Sequence, residues 1–312
     1  MGLRVFTEPQ LGASYDQLLA CAQTAETCGF DAFFRSDHYL NTGSGSGLRG
    51  YTDAWITLAG LARDTRSIRL GTLVSPVTFR PVGPFAVIAT QVDQMSGGRV
   101  EVGIGAAWYE AEHRAYGLAF PPVGARYDLF EDQLAILHGV WSAPPGTTFE
   151  YAGLTCSVSL EADTLRPRQR PHPPIVMGGV GGPRSARLAA TFADEYNTSF
   201  KRLAETRRIH DDVRRACERY GRDLSTMVCS AGQVVCCGRT DAEIGRRAAA
   251  IHRDVAELRE NGLAGTPDEV LEKLGRFGEA GVDRFYLQVL DLNDLDHLQF
   301  IAEAVLPHAP GR

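Results

Sequence analysis

A run of glycines at 178–182 has the residue types and spacing of a site for an anion or a flat ring. The sequence there is Gly-Gly-Val-Gly-Gly, and Pro183 and Arg184 follow it directly. Glycines let backbone N–H groups approach a ligand closely, and a helix that begins at Pro183 adds the positive end of its dipole. A tight turn is the alternative interpretation of the same run.

The acidic and histidine side chains do not form a metal-binding pattern. Asp37 and His38 are adjacent, and adjacent residues on a strand point to opposite faces. The sequence also lacks the His-x-His element with which barrel metallohydrolases often hold a metal on the first strand. We therefore predict no metal site.

Two other enzyme classes rest on one or two residues each. Glu8 and Asp37 stand at strand ends, where a retaining glycosidase needs two carboxylates about 5–5.5 Å apart. Lys201 stands where a class I aldolase would form a Schiff base, although a phosphate partner or a surface charge explains it better. Of the 32 basic residues only Lys201 and Lys273 are lysines, which leaves a Schiff-base enzyme little choice.

An alternating series of strands and helices must position these residues. Short apolar runs predict strands at 3–7, 31–35, 68–74, 100–104, 174–177, 194–198, 226–237 and 284–289. Helical spacing predicts helices at 15–28, 53–63, 85–95, 108–141 with a break at Pro121 and Pro122, 184–192, 202–220, 240–260, 267–280 and 295–305. Eight such units, with no dinucleotide fingerprint after the first strand, predict a single (β/α)8 TIM barrel with insertions, an α/β fold.

Two segments do not fit a barrel unit. Residues 41–50 are rich in glycine and serine, which predicts a mobile loop, either a lid or a surface excursion. Residues 144–172 are rich in proline, threonine and serine with short alternating runs, which predicts an insertion. No linker divides the chain, so we predict one domain over residues 1–312.

Composition excludes several classes of protein. The chain has 312 residues, of which 44% are hydrophobic and 22% charged, as in ordinary globular proteins. A net charge of −6 is opposite to what phosphate-backbone binding needs, so we expect no nucleic-acid partner. The sequence has no long apolar run for a membrane and no signal peptide, and its seven cysteines form no C-x-x-C pair. We expect a cytoplasmic protein with reduced thiols.

The residues at the predicted strand ends are aromatic and glycine-rich, with few clustered acids. They include the segments Ser-Asp-His-Tyr at 36–39, Gly-Ala-Ala-Trp-Tyr at 105–109 and Asn-Thr-Ser-Phe at 197–200. In a barrel of this kind the ligand lies at this end. Such a surface suits a flat, conjugated ligand better than a metal.

Several of these segments together resemble a known family. They are Phe-Arg-Ser-Asp-His-Tyr at 34–39, Leu-Gly-Thr-Leu-Val at 70–74, Thr-Phe-Arg-Pro at 78–81, Met-Ser-Gly-Gly-Arg-Val at 95–100, Gly-Ile-Gly-Ala-Ala-Trp-Tyr-Glu-Ala-Glu-His at 103–113, Pro-Pro-Ile-Val-Met-Gly-Gly at 173–179 and Ala-Gly-Thr-Pro-Asp-Glu-Val at 264–270. In this order they resemble the luciferase-like monooxygenase superfamily of flavin and deazaflavin barrels. More narrowly, the chain is similar to the actinobacterial branch of coenzyme F420-dependent oxidoreductases.

The resemblance implies where a ring cofactor would lie. Asp37 would meet the polar edge of the deazaflavin ring, with His38 beside the reactive centre. Leu73 and Val74 would form a bulge with a non-prolyl cis peptide behind the ring. The remaining cofactor-binding residues implied are Gly105, Ala106, Ala107 and Trp108 along the side of the ring, and Gly178, Gly179, Val180 and Gly181 around the ring and the start of the ribityl-phosphate chain.

The sequence departs from the family at two positions. Ala107 is often glycine in relatives, and Trp108 takes a place that a glutamate holds in some F420-dependent dehydrogenases. A dehydrogenase that uses this acid is therefore disfavoured, and the candidate catalytic residues are His38, Tyr109 and Glu112 as proton donors. Histidine is the residue type that most readily exchanges a proton near neutral pH, although a structural His38, bonded to a backbone carbonyl, is as good an interpretation.

Three functions of this site stay open. The first is an F420-dependent oxidoreductase that moves a hydride between the deazaflavin C5 and a small organic substrate, as a reductase of a C=C or C=N bond. The second is an FMN-dependent monooxygenase, and the third a deazaflavin-binding protein without turnover. Lys201, Arg202 and Arg184 are candidates to bind the anionic tail of F420. By analogy with the family we expect a homodimer.

Overall fold

The computed structural model describes residues 1–41 and 52–311. Apart from Asn41, the lid predicted at 41–50 lies outside the described residues. The strands are β1 (Gly2–Thr7), β2 (Ala32–Arg35), β3 (Arg69–Thr72), β4 (Ser75–Pro76), β5 (Val100–Gly105), β6 (Thr148–Ala152), β7 (Ser157–Glu161), β8 (Ile175–Gly178), β9 (Glu195–Ser199), β10 (Val228–Cys237), β11 (Leu263–Gly265) and β12 (Arg284–Val289). The α-helices are α1 (Tyr15–Thr27), α2 (Ala54–Asp64), α3 (Val82–Ser96), α4 (Glu110–Ala115), α5 (Val123–Ser142), α6 (Pro183–Phe192), α7 (Leu203–Arg219), α8 (Asp241–Ala250), α9 (Val255–Asn261), α10 (Pro267–Glu279) and α11 (Leu295–Ala304).

The strands form a closed parallel barrel, which confirms the predicted fold. The order around the barrel is β10, β12, β1, β2, β3, β5, β8 and β9, and β9 pairs with β10 to close it. Strand β1 pairs in parallel with β12 on one side and β2 on the other. Because all strands run the same way, their carboxyl ends meet at one end of the barrel, here called the mouth.

The third barrel strand is interrupted at the mouth. Strand β3 ends at Thr72, and β4 resumes at Ser75 beside β5. Leu73 and Val74 form the bulge between them, and their peptide bond is cis, the conformation that the resemblance predicts. Leu73 packs on the apolar layer inside the barrel, which contains Phe6 and Tyr286.

One predicted segment is confirmed, and two elements differ from the prediction. Residues 144–172 are an insertion, as predicted: they contain an antiparallel hairpin, β6–β7, which packs beside α5 outside the barrel. The helical region predicted from Trp108 begins only at Glu110, because Ala107 has a left-handed backbone with φ 63° and Tyr109 is the N-cap of α4. Strand β11 was not predicted, and it pairs with the second half of β10.

Local sequence signals explain why the helices begin where they do. Ser14 and Gln17 form a capping box at the start of α1, and Thr266 and Glu269 form another at α10. Gly97 ends α3 in the left-handed conformation, which costs glycine little.

Across the described ranges, 1–41 and 52–311, the helices are all too short or too polar to cross a membrane.

A buried charge network closes the end of the barrel opposite the mouth. Arg4 of β1 donates to both carboxylate oxygens of Glu101 of β5, at 2.6 and 3.0 Å. Arg69 also donates to Glu101, and Tyr286 donates to Glu195 at 2.7 Å. Burial alone would raise the pKa of Glu101, but the charges of Arg4 and Arg69 hold it well below its usual range. Charged side chains therefore fill part of the barrel interior.

Candidate active site

Large apolar side chains are exposed at the mouth of the barrel. Trp108 after β5, Val180 after β8 and Phe200 after β9 expose 64%, 65% and 50% of their surface. The ring of Phe200 lies 6.4 Å from that of Phe6, which belongs to the apolar layer inside the barrel. Exposed apolar groups that surround a concave end of a fold mark a ligand site.

His38 and Glu112 form a hydrogen-bonded pair at the mouth. His38 Nδ1 lies 2.8 Å from Glu112 Oε2. The His38 side chain is 12% exposed and that of Glu112 is fully buried. A carboxylate at Nδ1 fixes the imidazole with a hydrogen on that nitrogen, so Nε2 is the atom that can exchange a proton with a ligand.

Helix α4 and the chain after β2 position this pair. Glu112 lies on the buried face of α4, and its Oε1 accepts hydrogen bonds from the backbone N–H groups of Tyr39 and Leu40. The His38 ring meets Trp108 and Tyr109 edge-on, at centroid distances of 5.7 and 6.3 Å. Because Glu112 is fully buried, its carboxylate contacts His38 and the backbone at 39–40 and not the open mouth.

Tyr109 belongs to the same group of side chains. Its ring stacks on that of Trp108 at 5.1 Å, and its hydroxyl donates to the carbonyl of Asn41 at 3.2 Å. The structure therefore brings together the three predicted catalytic residues in different surroundings, and their catalytic roles stay predictions. His38 and Tyr109 border the mouth, and Glu112 holds His38.

Asp37 is bound within the protein. Its carboxylate accepts hydrogen bonds from Arg80 and Ser75, both at 2.6 Å, and the residue is fully buried. Arg80 also binds Asp53 at 2.5 Å and the Tyr39 hydroxyl at 3.0 Å. A contact between Asp37 and a ring stays a prediction, and the structure gives this carboxylate the role of holding Arg80.

Sequence reasoning passed over Arg80 as a site residue. It joins the end of β2 to the first turn of α2, because Asp53 is the N-cap of that helix. Desolvation would lower the pKa of Arg80, but the charge of Asp37 and their hydrogen bond raise it above its ordinary value. The Thr-Phe-Arg-Pro segment at 78–81, already singled out for the resemblance, carried the signal.

Val74 forms the centre of the floor of the mouth, and glycines surround it. A Cβ on Gly105 would lie 2.8 Å from Val74 Cγ2, and one on Gly178 would lie 3.1 Å from both Val74 methyl groups. A Cβ on Gly103 would lie 1.7 Å from the Thr72 carbonyl oxygen. These glycines are therefore required so that the bulge at 73–74 can sit between β5 and β8.

The glycine run at 178–182 leads into helix α6. A Cβ on Gly179 would lie 2.4 Å from the Tyr196 hydroxyl, and Gly181 donates its N–H to the same oxygen at 3.2 Å. Gly182 is the N-cap of α6 and supplies no side-chain acceptor. Pro183 has no N–H, so the first N–H donors of α6 are those of Arg184 and Ser185, and anion binding by them stays a prediction.

The left-handed backbone at Ala107 leads to a prediction. Ala107 has a φ of 63°, a left-handed conformation that costs a residue with a Cβ roughly 1–2 kcal/mol. Glycine has no Cβ and avoids this cost. We expect Ala107→Gly to raise the free energy of unfolding by about 1 kcal/mol, measured by denaturant titration. Ala→Gly at Ala111, inside α4, is the control, and it should lower stability by about 0.5–1 kcal/mol. A loss of stability in Ala107→Gly as large as that of the control would contradict this account.

Glu8, at the end of β1, is a second acid at the mouth that sequence reasoning weighed only as a glycosidase carboxylate. Burial raises its pKa above the ordinary value, and the nearby His38 pulls it back in part. Within the part of the chain that the structure describes, no other carboxyl group has a pKa that is raised in this way. The paired-carboxylate interpretation with Asp37 is therefore unsupported, because Asp37 is bound to Arg80.

The raised pKa of Glu8 predicts how stability changes with pH. A carboxyl with a raised folded pKa contributes its full stability below the unfolded pKa and loses it as pH rises through the folded pKa. Glu8→Gln removes this loss, so we expect its Tm to exceed that of the wild type at pH 8 and the difference to shrink toward pH 4. Thermal unfolding from pH 4 to 8 measures this. A difference independent of pH would refute the electrostatic cause.

The cations proposed for an anionic cofactor tail each contact a carboxylate. Arg184 binds Asp128 at 2.6 Å and Glu131 at 3.1 Å. Lys201 lies 3.2 Å from Glu205. Arg202 lies 2.9 Å from Glu260, and both of these side chains are largely exposed. Of the three, Arg184 is the most fully neutralised.

A sequence model of the "Luciferase-like monooxygenase" family matches residues 2–260. This match covers most of the chain. The chain belongs to the luciferase-like monooxygenase family. The predicted resemblance is therefore confirmed at the level of the superfamily.

Curated relatives match part of the chain. Protein y4wF of Sinorhizobium fredii is 31% identical over 182 residues, 58% of this chain and 49% of its own length. The FMNH(2)-dependent dimethylsulfone monooxygenase of Pseudomonas putida is 27% identical over 194 residues, 62% of this chain and 51% of its own. The chain thus spans about half the length of these curated relatives.

Solved structures of other proteins share the whole fold. Monooxygenase RslO1 from Streptomyces bottropensis superposes with a TM-score of 0.82 at 22% identity, covering 99% of both chains. An F420-dependent secondary alcohol dehydrogenase superposes with a TM-score of 0.81 at 19% identity, covering 99% of this chain and 98% of the other. At these identities the likeness establishes the fold, and both flavin and deazaflavin chemistry occur on it.

Proposed function

We propose that this protein is an F420-dependent oxidoreductase that transfers a hydride between the deazaflavin C5 and a small organic substrate, as a reductase of a C=C or C=N bond. The observation that carries the proposal is the His38–Glu112 pair, 2.8 Å apart, beside an apolar mouth. The choice of cofactor is supported by the F420-dependent secondary alcohol dehydrogenase that shares this fold.

The residues at the mouth fit a flat ring. Val74 is half-buried at the bulge, and glycine at 105 and 178 leaves no side chain beside it. Leu73 and Val74 would lie behind the ring, the segment 105–108 along its side, and the segment 178–181 around its ribityl chain. A reduced deazaflavin bound there supplies a hydride, and the protein supplies orientation, exclusion of water and a proton.

His38 would supply the proton. Glu112 accepts the hydrogen of Nδ1, so Nε2 faces the ligand side and can donate to or accept from the reacting atom. Trp108 and Tyr109 cover the imidazole edge-on and keep it in one orientation. Glu112 is a positioning residue in this scheme, since its second oxygen is held by two backbone N–H groups.

An FMN-dependent monooxygenase is the second candidate, and one observation favours it. The tail of F420 carries several negative charges beyond its phosphate, whereas the cation nearest the glycine run, Arg184, is already bound by Asp128 and Glu131. FMN ends at a single phosphate, for which the first N–H groups of α6 suffice. Reduced FMN would activate oxygen at the same floor.

A binding titration separates the two candidates. We expect oxidised F420 to change its ring fluorescence on binding with a Kd on the order of 1 μM or lower, and FMN to bind at least tenfold more weakly. Trp108→Ala should weaken ring binding by about tenfold, since an aromatic contact is worth about 0.5–1.5 kcal/mol. Leu154→Ala is the control, because Leu154 is 85% exposed in the β6–β7 turn.

Each result has a definite meaning. Preference for FMN would replace the reductase by the monooxygenase, and oxygen consumption with reduced FMN would then be measured. Binding of neither ring would remove the oxidoreductase assignment. Tight F420 binding with no turnover across a screen of C=C and C=N compounds would favour a deazaflavin-binding protein.

A further inference from the structure

A cavity beside the mouth has a strongly basic lining that the proposed ring site does not use. It has a volume of about 240 Å³ and lies between the chain that follows β9 and the segment α9–β11–α10. Its polar lining residues are Lys201, Arg202, Gln233, Glu260, Asn261, Lys273 and Arg276. Four of these are cations and one is an anion, so the cavity carries a net positive charge in a protein whose net charge is −6.

Both lysines of the chain line this cavity. The other 30 basic residues are arginines, and only Lys201 and Lys273 are lysines. An ammonium group is a compact point charge that suits an oxyanion without requiring the planar geometry of a guanidinium. The two lysines of an otherwise arginine-only set of basic residues therefore lie together at this cavity.

The cations of the cavity are only partly neutralised. Lys273 donates to the Gly262 carbonyl at 2.9 Å and to that of Arg259, which fixes the ammonium without cancelling its charge. Lys201 lies 3.2 Å from Glu205, which does not line the cavity. Within residues 1–41 and 52–311, Arg276 has no carboxylate within ion-pair distance.

The cavity adjoins the mouth at Phe200. Lys201 follows Phe200 directly, and the backbone there is fixed because Phe200 has a φ of 62° and donates its N–H to the Gly232 carbonyl at 2.8 Å. The buried Gln233 donates to the Lys201 carbonyl at 2.7 Å. Phe200, which borders the mouth, is therefore joined by a fixed stretch of backbone to Lys201, which lines the cavity.

We propose that this cavity binds the oxyanionic group, a phosphate, sulfonate or carboxylate, of the substrate whose reacting bond lies over the ring. The inference rests on the proposed function, which places the cofactor's ribityl chain at the segment 178–181 before α6. That placement leaves the cavity after β9 for a second anion. The substrate class is then an organic molecule with a reducible bond at one end and an oxyanion at the other.

Calorimetric titration with inorganic phosphate tests the cavity directly, at constant ionic strength set with sodium chloride. We expect a Kd on the order of 1 mM, weakened about tenfold in the double variant Lys201→Gln/Arg276→Gln, because charge-assisted hydrogen bonds are lost. Arg207→Gln/Arg219→Gln on the exposed side of α7 removes the same charge and should leave the Kd unchanged. No detectable binding, or equal loss in both double variants, overturns the proposal.

A second arm identifies the source of the anion. We expect the Lys201/Arg276 variant to bind FMN and riboflavin, or F420 and its tail-less deazariboflavin, as the wild type does, and phosphate to leave these affinities unchanged. Selective loss of the phosphate-bearing cofactor, with competition by free phosphate, would assign the cavity to the cofactor and overturn the substrate assignment. Because phosphate binding is measured without a ring, failure of the ring titrations alone would overturn the proposed function and not this site.

Discussion

Replacement of His38 by alanine is expected to lower kcat by about 10²–10⁴-fold, the range for removal of a positioned proton donor. The reason is geometric: His38 Nδ1 is held 2.8 Å from Glu112, and Nε2 is the one ring atom left to exchange a proton at the mouth. The measurement is single-turnover oxidation of the reduced cofactor by a substrate from the screen. Cofactor affinity should change less than threefold, because the imidazole is beside the ring site and not its floor.

Two further variants separate chemistry from structure. Glu112→Gln keeps an acceptor for Tyr39 and Leu40 but removes the charge at Nδ1, so we expect about a tenfold loss in kcat with a changed pH profile. His308→Ala, at an exposed position near the carboxyl end of the chain, should leave kcat unchanged. If His38→Ala retained more than a third of the wild-type kcat, His38 would not be the proton donor.

Removal of the Glu101 carboxylate is expected to be the most destabilising single change that we predict. Glu101 is 1% exposed and binds Arg4 through two hydrogen bonds, with Arg69 on one of the same oxygens. Breaking a buried pair from one side leaves an uncompensated charge, at a cost of about 3–5 kcal/mol. We expect Glu101→Gln to lower the free energy of unfolding by that amount in denaturant titrations.

The control is an exposed ion pair with the same chemistry. Glu110 and Arg114 lie 3.5 Å apart on α4, with 64% and 78% of their side chains exposed. Such a pair contributes less than about 1 kcal/mol, so Glu110→Gln should be nearly neutral. Similar losses in the two variants would show that burial does not set the strength of the Glu101 network.

The lowered pKa of Glu101 adds a pH signature. A carboxylate whose pKa is depressed by folding contributes stability above its unfolded pKa of about 4.3, and that contribution is lost as pH falls toward the folded value. The difference between wild type and Glu101→Gln should therefore be greatest at neutral pH and shrink under acid conditions.

The barrel could be predicted from the sequence because each of its strands is an apolar run followed by a helix of regular spacing. Strand β11 could not, since Leu263, Ala264 and Gly265 are too few to show a period and pair only with the second half of β10. The start of α4 was placed too early, because the left-handed backbone at Ala107 leaves no mark in an apolar segment. Periodicity predicts regular elements and misses the irregular residues that join them.

The sequence predicts which residues of the candidate site lie together, but not how each of them is buried or bonded. His38, Tyr109 and Glu112 were identified by type, and the structure brings them together. That Glu112 is buried behind His38 depends on which face of α4 turns inward, and six residues are too short to show it. Asp37 was assigned to a ligand, and its partner Arg80 lies 43 residues away along the chain, beyond any local pattern.

The contacts of Arg80 also bear on how this protein could acquire new specificities. Tyr39 and Asp53 stand at the two ends of the segment between β2 and α2, and they are joined to each other at 2.6 Å and to the same guanidinium. The chain between Tyr39 and Asp53 therefore begins and ends at the same hydrogen-bonded group, which Arg80 completes. Changes of its length cost little loop-closure entropy, about 0.6 kcal/mol for a doubling. We therefore expect the hydrogen bonds among Tyr39, Asp53 and Arg80 to persist when the number of residues between Tyr39 and Asp53 is changed.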